Sequence, residues 1–172
     1  MTMTNYSLAF VHQDEVLAEP FCDRFQGLEF RIDRYTHAQP VIDKLVVTPY
    51  DLIVTHIRLA LFNIEDVMDG KEATDPILWN IFNADEPDYV QAGLRVIQRV
   101  REQDSVNKQT PIVAIGLYES RADLHQGEVE QKCFGVGANA YVNLMRATGS
   151  NLLEQTAFRL LLLQQFARLA QQ

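Results

Sequence analysis

The chain is poor in basic residues and cysteine, and it has no long apolar run. Its 15 lysines and arginines face 23 aspartates and glutamates, for a net charge of −8. That balance excludes a general nucleic-acid or anionic-membrane surface, since both need a positive field. Cys22 and Cys133 stand far apart in the sequence, without the paired spacing of a metal site or a disulfide framework, and are expected to be reduced thiols. No stretch approaches the roughly 18 apolar residues of a membrane span. The opening Met1-Thr2-Met3-Thr4-Asn5 lacks the basic and apolar regions of a signal peptide, so the expected location is cytoplasmic. A P-loop, a glycine-rich dinucleotide turn and a nucleophile elbow are all missing. Gly135-Val136-Gly137 precedes a predicted strand rather than a helix, so it does not cradle phosphate at a helix terminus. No cofactor and no metal are expected.

What is present reads as one α/β domain over residues 1–172, apolar enough at 47% to bury a single core. Its centre is Tyr50-Asp51-Leu52-Ile53-Val54-Thr55-His56. The branched run Leu52-Ile53-Val54 suits a strand covered on both faces. His56 then stands at its carboxyl end, where open α/β sheets place their sites. Ser7–Val11 is a first strand, residues 15–26 a helix, and Leu28–Ile32 an alternating edge strand. A helix opened by Pro40 runs to Val47, and the spacing of Val90, Leu94, Ile97 and Val100 predicts another, ending near Glu102. After the polar loop Gln103–Thr110, Ile112–Ile115 is a buried strand. Arg121–Lys132 is a polar helix or loop, and Ala140–Asn143 a fifth strand. Ser150 or Asn151 caps a last helix over residues 151–171, with Glu154 as capping-box partner to Asn151. Alternating strands and helices give a flavodoxin-like, doubly wound, five-stranded parallel sheet. No internal repeat or low-complexity segment interrupts it.

Several of these segments resemble the receiver domain of two-component response regulators. Tyr50–Leu59 looks like the receiver strand that ends in the phosphoacceptor aspartate, and Gly93–Glu102 like the helix after it. Thr110–Ile115 is similar to the fourth strand and Gly137–Asn143 to the fifth. The resemblance implies a receiver-like fold over nearly the whole chain. It also implies a degenerate pocket. The acidic pair that holds the divalent cation is matched by His12 and Gln13, and the phosphoacceptor by His56. The switch hydroxyl is matched by Gly116, and the lysine–proline pair after the fifth strand by Leu144 and Met145. A shift of one place would restore Asp14 but none of the others. The implied protein is a pseudo-receiver that takes no aspartyl phosphate.

Residues 60–88 form a longer connection than the family has at that point, an enlarged and acidic link after the central strand. Within it, Trp79, Ile81 and Phe82 are candidates either to lid the pocket or to anchor a partner. Leu160–Leu163 in the last helix are four consecutive apolar residues, more than one sheet-facing stripe uses. Phe158, Leu161, Leu162 and Phe166 are therefore the candidate interface of a homodimer. His56 is either a neutral filler of the vacated pocket or a phosphohistidine, acid–base group or pH sensor. His12 beside it offers two imidazoles, short of a clear metal site. Tyr141 matches the family's switching aromatic, and Gly116 beneath it makes it a fixed packing residue. Together these readings predict a non-catalytic, phosphorylation-independent signalling adaptor that works through protein contacts. The alternative is a small-ligand or metal sensor using the vacated pocket.

Overall fold

A computed structural model describes residues 6–13, 19, 22, 30–116 and 126–143. Its centre is a parallel five-stranded sheet in the order β2-β1-β3-β4-β5. The strands are β1 (Tyr6–Val11), β2 (Phe30–Tyr35), β3 (Leu52–His56), β4 (Ile112–Gly116) and β5 (Ala140–Asn143). From β1 the chain winds outward to β2, then returns past β1 to β3 and continues to β4 and β5. The winding direction reverses between β1 and β3, which makes the crevice at their carboxyl ends the switch point of the fold. All five residues of β3 and all five of β4 are buried, as expected of central parallel strands with helices on both faces.

The helices are α1 (Ala38–Val47), α2 (Ile64–Met68), α3 (Pro76–Phe82), α4 (Tyr89–Val100) and α5 (Gln126–Gly135). Ala9, Val11, Ile53 and Ala114 turn to one face of the sheet and join Val41, Leu45, Leu78, Ile97 and Val129 in the main core. Leu8, Phe10, Leu52, Val54, Val113 and Ile115 turn to the other and meet Cys22. Cys22 and Cys133 are both buried and are not joined in a disulfide. Of the helix expected over residues 15–26, Glu19 and Cys22 are helical; the rest, and the last helix over 151–171, lie outside the described residues.

Two boundaries differ from expectation for physical reasons. The edge strand was expected at Leu28–Ile32, but β2 runs from Phe30 to Tyr35 because it pairs residue for residue with β1, from Tyr6↔Phe30 to Val11↔Tyr35. Its length is set by its neighbour, not by its own alternation. Helix α1 starts two residues before Pro40, which leaves the proline in the first turn, where its missing N–H forfeits no helical bond. The free first-turn donors of α1 are used across the fold: Ala38 N–H donates to Ala60 O at 2.8 Å and Gln39 N–H to Leu61 O at 3.2 Å. The polar segment 126–135 is a helix rather than a loop.

The connection from β3 to α4 is ordered by caps. Asn63 accepts from Asp66 N–H at the start of α2. Asp75 accepts from Ile77 and Leu78 N–H ahead of Pro76 in α3, and Asp88 from Val90 and Gln91 N–H at the start of α4. Ser, Thr, Asp and Asn are favoured at this position because their oxygen replaces a missing helical acceptor. Leu78 is fully buried and fastens α3 to the core. Where the chain leaves β3, α4 approaches so closely that a Cβ on Gly93 would lie 1.8 Å from the Ile57 carbonyl oxygen. At the opposite end of the sheet, buried Asn107 accepts from Tyr50 N–H and donates to Leu45 and Thr48 O, which holds the loop before β4 in place.

Candidate functional site

The sheet register brings two histidines together at the switch point. Val11 pairs with Thr55, so the next residue on each strand, His12 and His56, stand side by side. Their ring centroids are 4.7 Å apart at an interplanar angle of 62°. Each is only 5% exposed. His12 stacks on Phe10 at 6.3 Å, and its N–H donates to Tyr35 O at 2.9 Å, which extends the β1–β2 pairing by one residue. His56 folds back on its own chain: Nδ1 lies 3.0 Å from the Arg58 N–H, from which it accepts in one tautomer, and 3.0 Å from the Arg58 carbonyl. Its Nε2 is buried and has no hydrogen-bond partner among the described residues.

Burial dominates the protonation of His56, and the neighbouring His12 adds to it. Together they push its pKa down from 6.5 to about 4, against a smaller opposing effect of the Arg58 backbone bond. At neutral pH the ring is uncharged, because desolvation penalises the imidazolium. The switch point therefore holds a neutral, enclosed imidazole.

The other expected pocket residues divide. Gln13 is exposed. Gly116 ends β4, and a Cβ there would lie 2.1 Å from the Tyr141 hydroxyl oxygen. The tyrosine thus fills the space that a side chain at position 116 would take, reaching it from a register position two residues back, opposite Ala114. Leu144 and Met145 lie outside the described residues, as do Phe158, Leu161, Leu162 and Phe166. Among the described residues, no three histidine, cysteine, aspartate or glutamate side chains group to hold a metal ion. Hard cations want several oxygen ligands, and His12 and His56 supply nitrogen.

Trp79, Ile81 and Phe82 all fall on α3. Asp75 at its head meets Arg95 in α4, while Phe82 at its tail packs edge-on against Tyr89 at 5.8 Å. Helix α3 therefore runs antiparallel to α4 along the helical layer. Ile81 and Phe82 pack against the main core, and Ile81 shares a groove with Leu94 and Val136, so these two side chains fasten a flank of the domain. These three residues, expected to lid the pocket or to anchor a partner, thus stand on a helix that braces a flank of the domain.

Sequence reasoning missed the buried ion pair that anchors this strut. Arg95 places Nη2 2.7 Å from Asp75 Oδ2 and Nε 3.1 Å from Oδ1, with side chains 6% and 5% exposed, and Nη1 2.6 Å from Glu102. Burial alone would raise the Asp75 carboxyl, but hydrogen bonds from Arg95 and Leu78 outweigh it and leave it below the usual carboxylate value. Gln39 ties α1 into the same cluster by accepting from Asp75 N–H at 3.1 Å. The one local signal was Asp75-Pro76 itself, a helix-start signature. Nothing in the sequence pairs residue 75 with residue 95.

No family model matches the chain, and no curated protein matches it. Solved structures do. The BeF3-activated DrrB receiver domain is 15% identical with a TM-score of 0.58, covering 98% of this chain and 100% of that one. The receiver domain of a sensor histidine kinase from Pseudomonas aeruginosa, with a magnesium ion coordinated in its active-site cleft, is 17% identical with a TM-score of 0.55, covering 92% and 95%. A chemotaxis response regulator of Vibrio cholerae is 14% identical with a TM-score of 0.54, covering 81% and 87%. These likenesses establish the receiver-type, flavodoxin-like fold. No helix among the described residues is long and apolar enough to cross a membrane.

Proposed function

We propose that the protein is a non-catalytic regulatory adaptor on a receiver-type fold, acting in signalling through protein contacts and without aspartyl phosphorylation. The observation that carries this reading is the buried His12–His56 pair at the switch point, where phosphoryl chemistry would need a carboxylate nucleophile and oxygen ligands for a cation. The Tyr141 ring packed against Gly116 supports it, because a hydroxyl-bearing side chain at 116 has no room. We assign the protein to the cytoplasm, with a protein partner, no nucleic acid and no membrane. The apolar side of the last helix (Phe158, Leu161, Leu162, Phe166) is assigned to a homodimer.

Intact mass spectrometry with light scattering, with and without acetyl phosphate and magnesium, tests this. Unchanged mass and a stable dimer are expected; an adduct of one phosphate would overturn the reading. One observation favours a second role for the same pocket. His56 Nε2 is buried without a hydrogen-bond partner among the described residues, and a small ligand or a metal that prefers nitrogen, such as zinc or nickel, would satisfy it. Titration with either ion, followed through the ring resonances of His12 and His56, decides it: no shift at millimolar metal would leave the imidazole as filler.

A further inference from the structure

Helices α3, α4 and α5 enclose a groove of about 370 Å³ whose walls include Ile77, Ile81, Leu94, Gln98, Lys132 and Val136. Ile77 is 43% exposed there. One wall is α3, fixed by the buried Leu78 and the Asp75–Arg95 pair, so the groove is preformed and not a gap between loose segments. The groove runs along α4, and its end at Ile81 and Gln91 lies next along the chain to the turn that joins α3 to α4. Residues 83–88 of that turn are all exposed and include Asp85, Glu86 and Asp88. The Asp88 carboxylate caps α4, whereas Asp85 and Glu86 form no ion pair among the described residues.

We propose that this groove receives an amphipathic helix from a protein partner, with apolar residues seated on Ile77, Ile81, Leu94 and Val136 and a basic end against Asp85 and Glu86. The inference rests on the adaptor reading and deepens it by naming the surface and the chemistry of the partner. Two features select that occupant. An apolar trough between helices suits a helix presenting side chains at i, i+3, i+4 and i+7. Unneutralised carboxylates at one end, on a chain of net charge −8, favour a cationic segment and set its direction.

The test uses the full chain as bait against a displayed library of helix-forming peptides. Binders are then measured individually, and their footprint is mapped by backbone amide shifts. Selected peptides are expected to combine an apolar face with lysine or arginine at one end and to shift the amides of Ile81, Leu94 and Val136. Ile81→Asp should weaken them at least tenfold. The double variant Asp85→Lys/Glu86→Lys alters only exposed side chains. It should weaken them about tenfold at low salt and abolish most of their salt dependence. Binders without basic residues, a footprint elsewhere, unchanged affinity for both variants, or no binders at all would overturn the proposal while leaving the adaptor reading standing. A dimer that becomes a monomer on Ile81→Asp would assign the groove to a second copy and likewise overturn it. The adaptor reading fails separately, if acetyl phosphate modifies the chain.

Discussion

The buried imidazole of His56 should make the fold acid-sensitive in a defined window. Its pKa is about 4 in the folded chain against 6.5 for an ordinary histidine, so on acidification the unfolded chain takes up a proton first. Stability from this group is fully present above pH 6.5 and is lost as pH falls toward 4, with a limiting slope of about 1.4 kcal/mol per pH unit. By pH 4.5 the loss amounts to roughly 2.5 kcal/mol, a large part of the 5–15 kcal/mol typical of a small domain. Urea unfolding at pH 7.5 and 4.5, for the wild type and His56→Asn, isolates the effect. Carboxylate contributions common to both proteins cancel, and His12 and Arg58, the groups facing the ring among the described residues, remain in both. The variant should lose about 2 kcal/mol less than the wild type between the two pH values. Parallel losses, or a His56 ring resonance titrating near pH 6.5, would refute the argument that burial holds this ring neutral.

Other consequences are equally open to measurement. Gly93→Ala puts a methyl 1.8 Å from the backbone oxygen of Ile57, which no rotamer change relieves; a loss of about 3 kcal/mol in denaturant unfolding is expected, at the upper end for overpacking. Asp75→Asn leaves the Arg95 guanidinium buried with the half-exposed Glu102 as its only counter-charge among the described residues. The expected cost is about 3 kcal/mol, with Asp75→Leu/Arg95→Met recovering most of it in the same assay. Gly116→Ala should force the Tyr141 ring from its place, seen as a changed near-ultraviolet circular dichroism spectrum. A double-mutant cycle with Tyr141→Ala should give a coupling of about 1 kcal/mol or more, and strict additivity would show that the ring does not depend on the glycine.

What could be read from the sequence, and what could not, follows from the range of each interaction. Leu52-Ile53-Val54 announces a doubly covered strand because the burial signal lies within three adjacent residues. The placement of His56 at the strand's end follows from it. The amphipathic period of Val90, Leu94, Ile97 and Val100 likewise survives in α4. Helix α3 showed only through the apolar candidates Trp79, Ile81 and Phe82, since seven residues are too few for a 3.6-residue period to separate helix from strand. Its form comes from the Asp75 cap and the burial of Leu78. The approach of Tyr141 to Gly116 depends on the β4–β5 register, and Asp75–Arg95 spans a loop and two helices. Neither leaves a local trace. The extent of β2 was misread for the same reason: its partner strand, far off in sequence, sets its ends.

The longer-range features bear on where recognition would occur. Lengthening a connection costs little loop-closure entropy, about 0.6 kcal/mol per doubling, so a segment such as 57–88 is tolerated almost anywhere on a stable sheet. This one is held at several points along its length. Ala60 and Leu61 accept from the first turn of α1, Leu59 N–H donates to Tyr89 O, and Asp75 bridges Gln39 and Arg95. A merely tolerated loop has no need of a buried ion pair, whose desolvation largely offsets its attraction and whose contribution is geometry rather than stability. Here that geometry aligns α3 with α4 and so shapes the groove against α5. At the switch point, by contrast, the two imidazoles are each only 5% exposed. A protein that acts by contact would gain more from the rigid, unneutralised flank than from the enclosed crevice. On the adaptor reading, α3 and the acidic turn after it are therefore where a partner would be read.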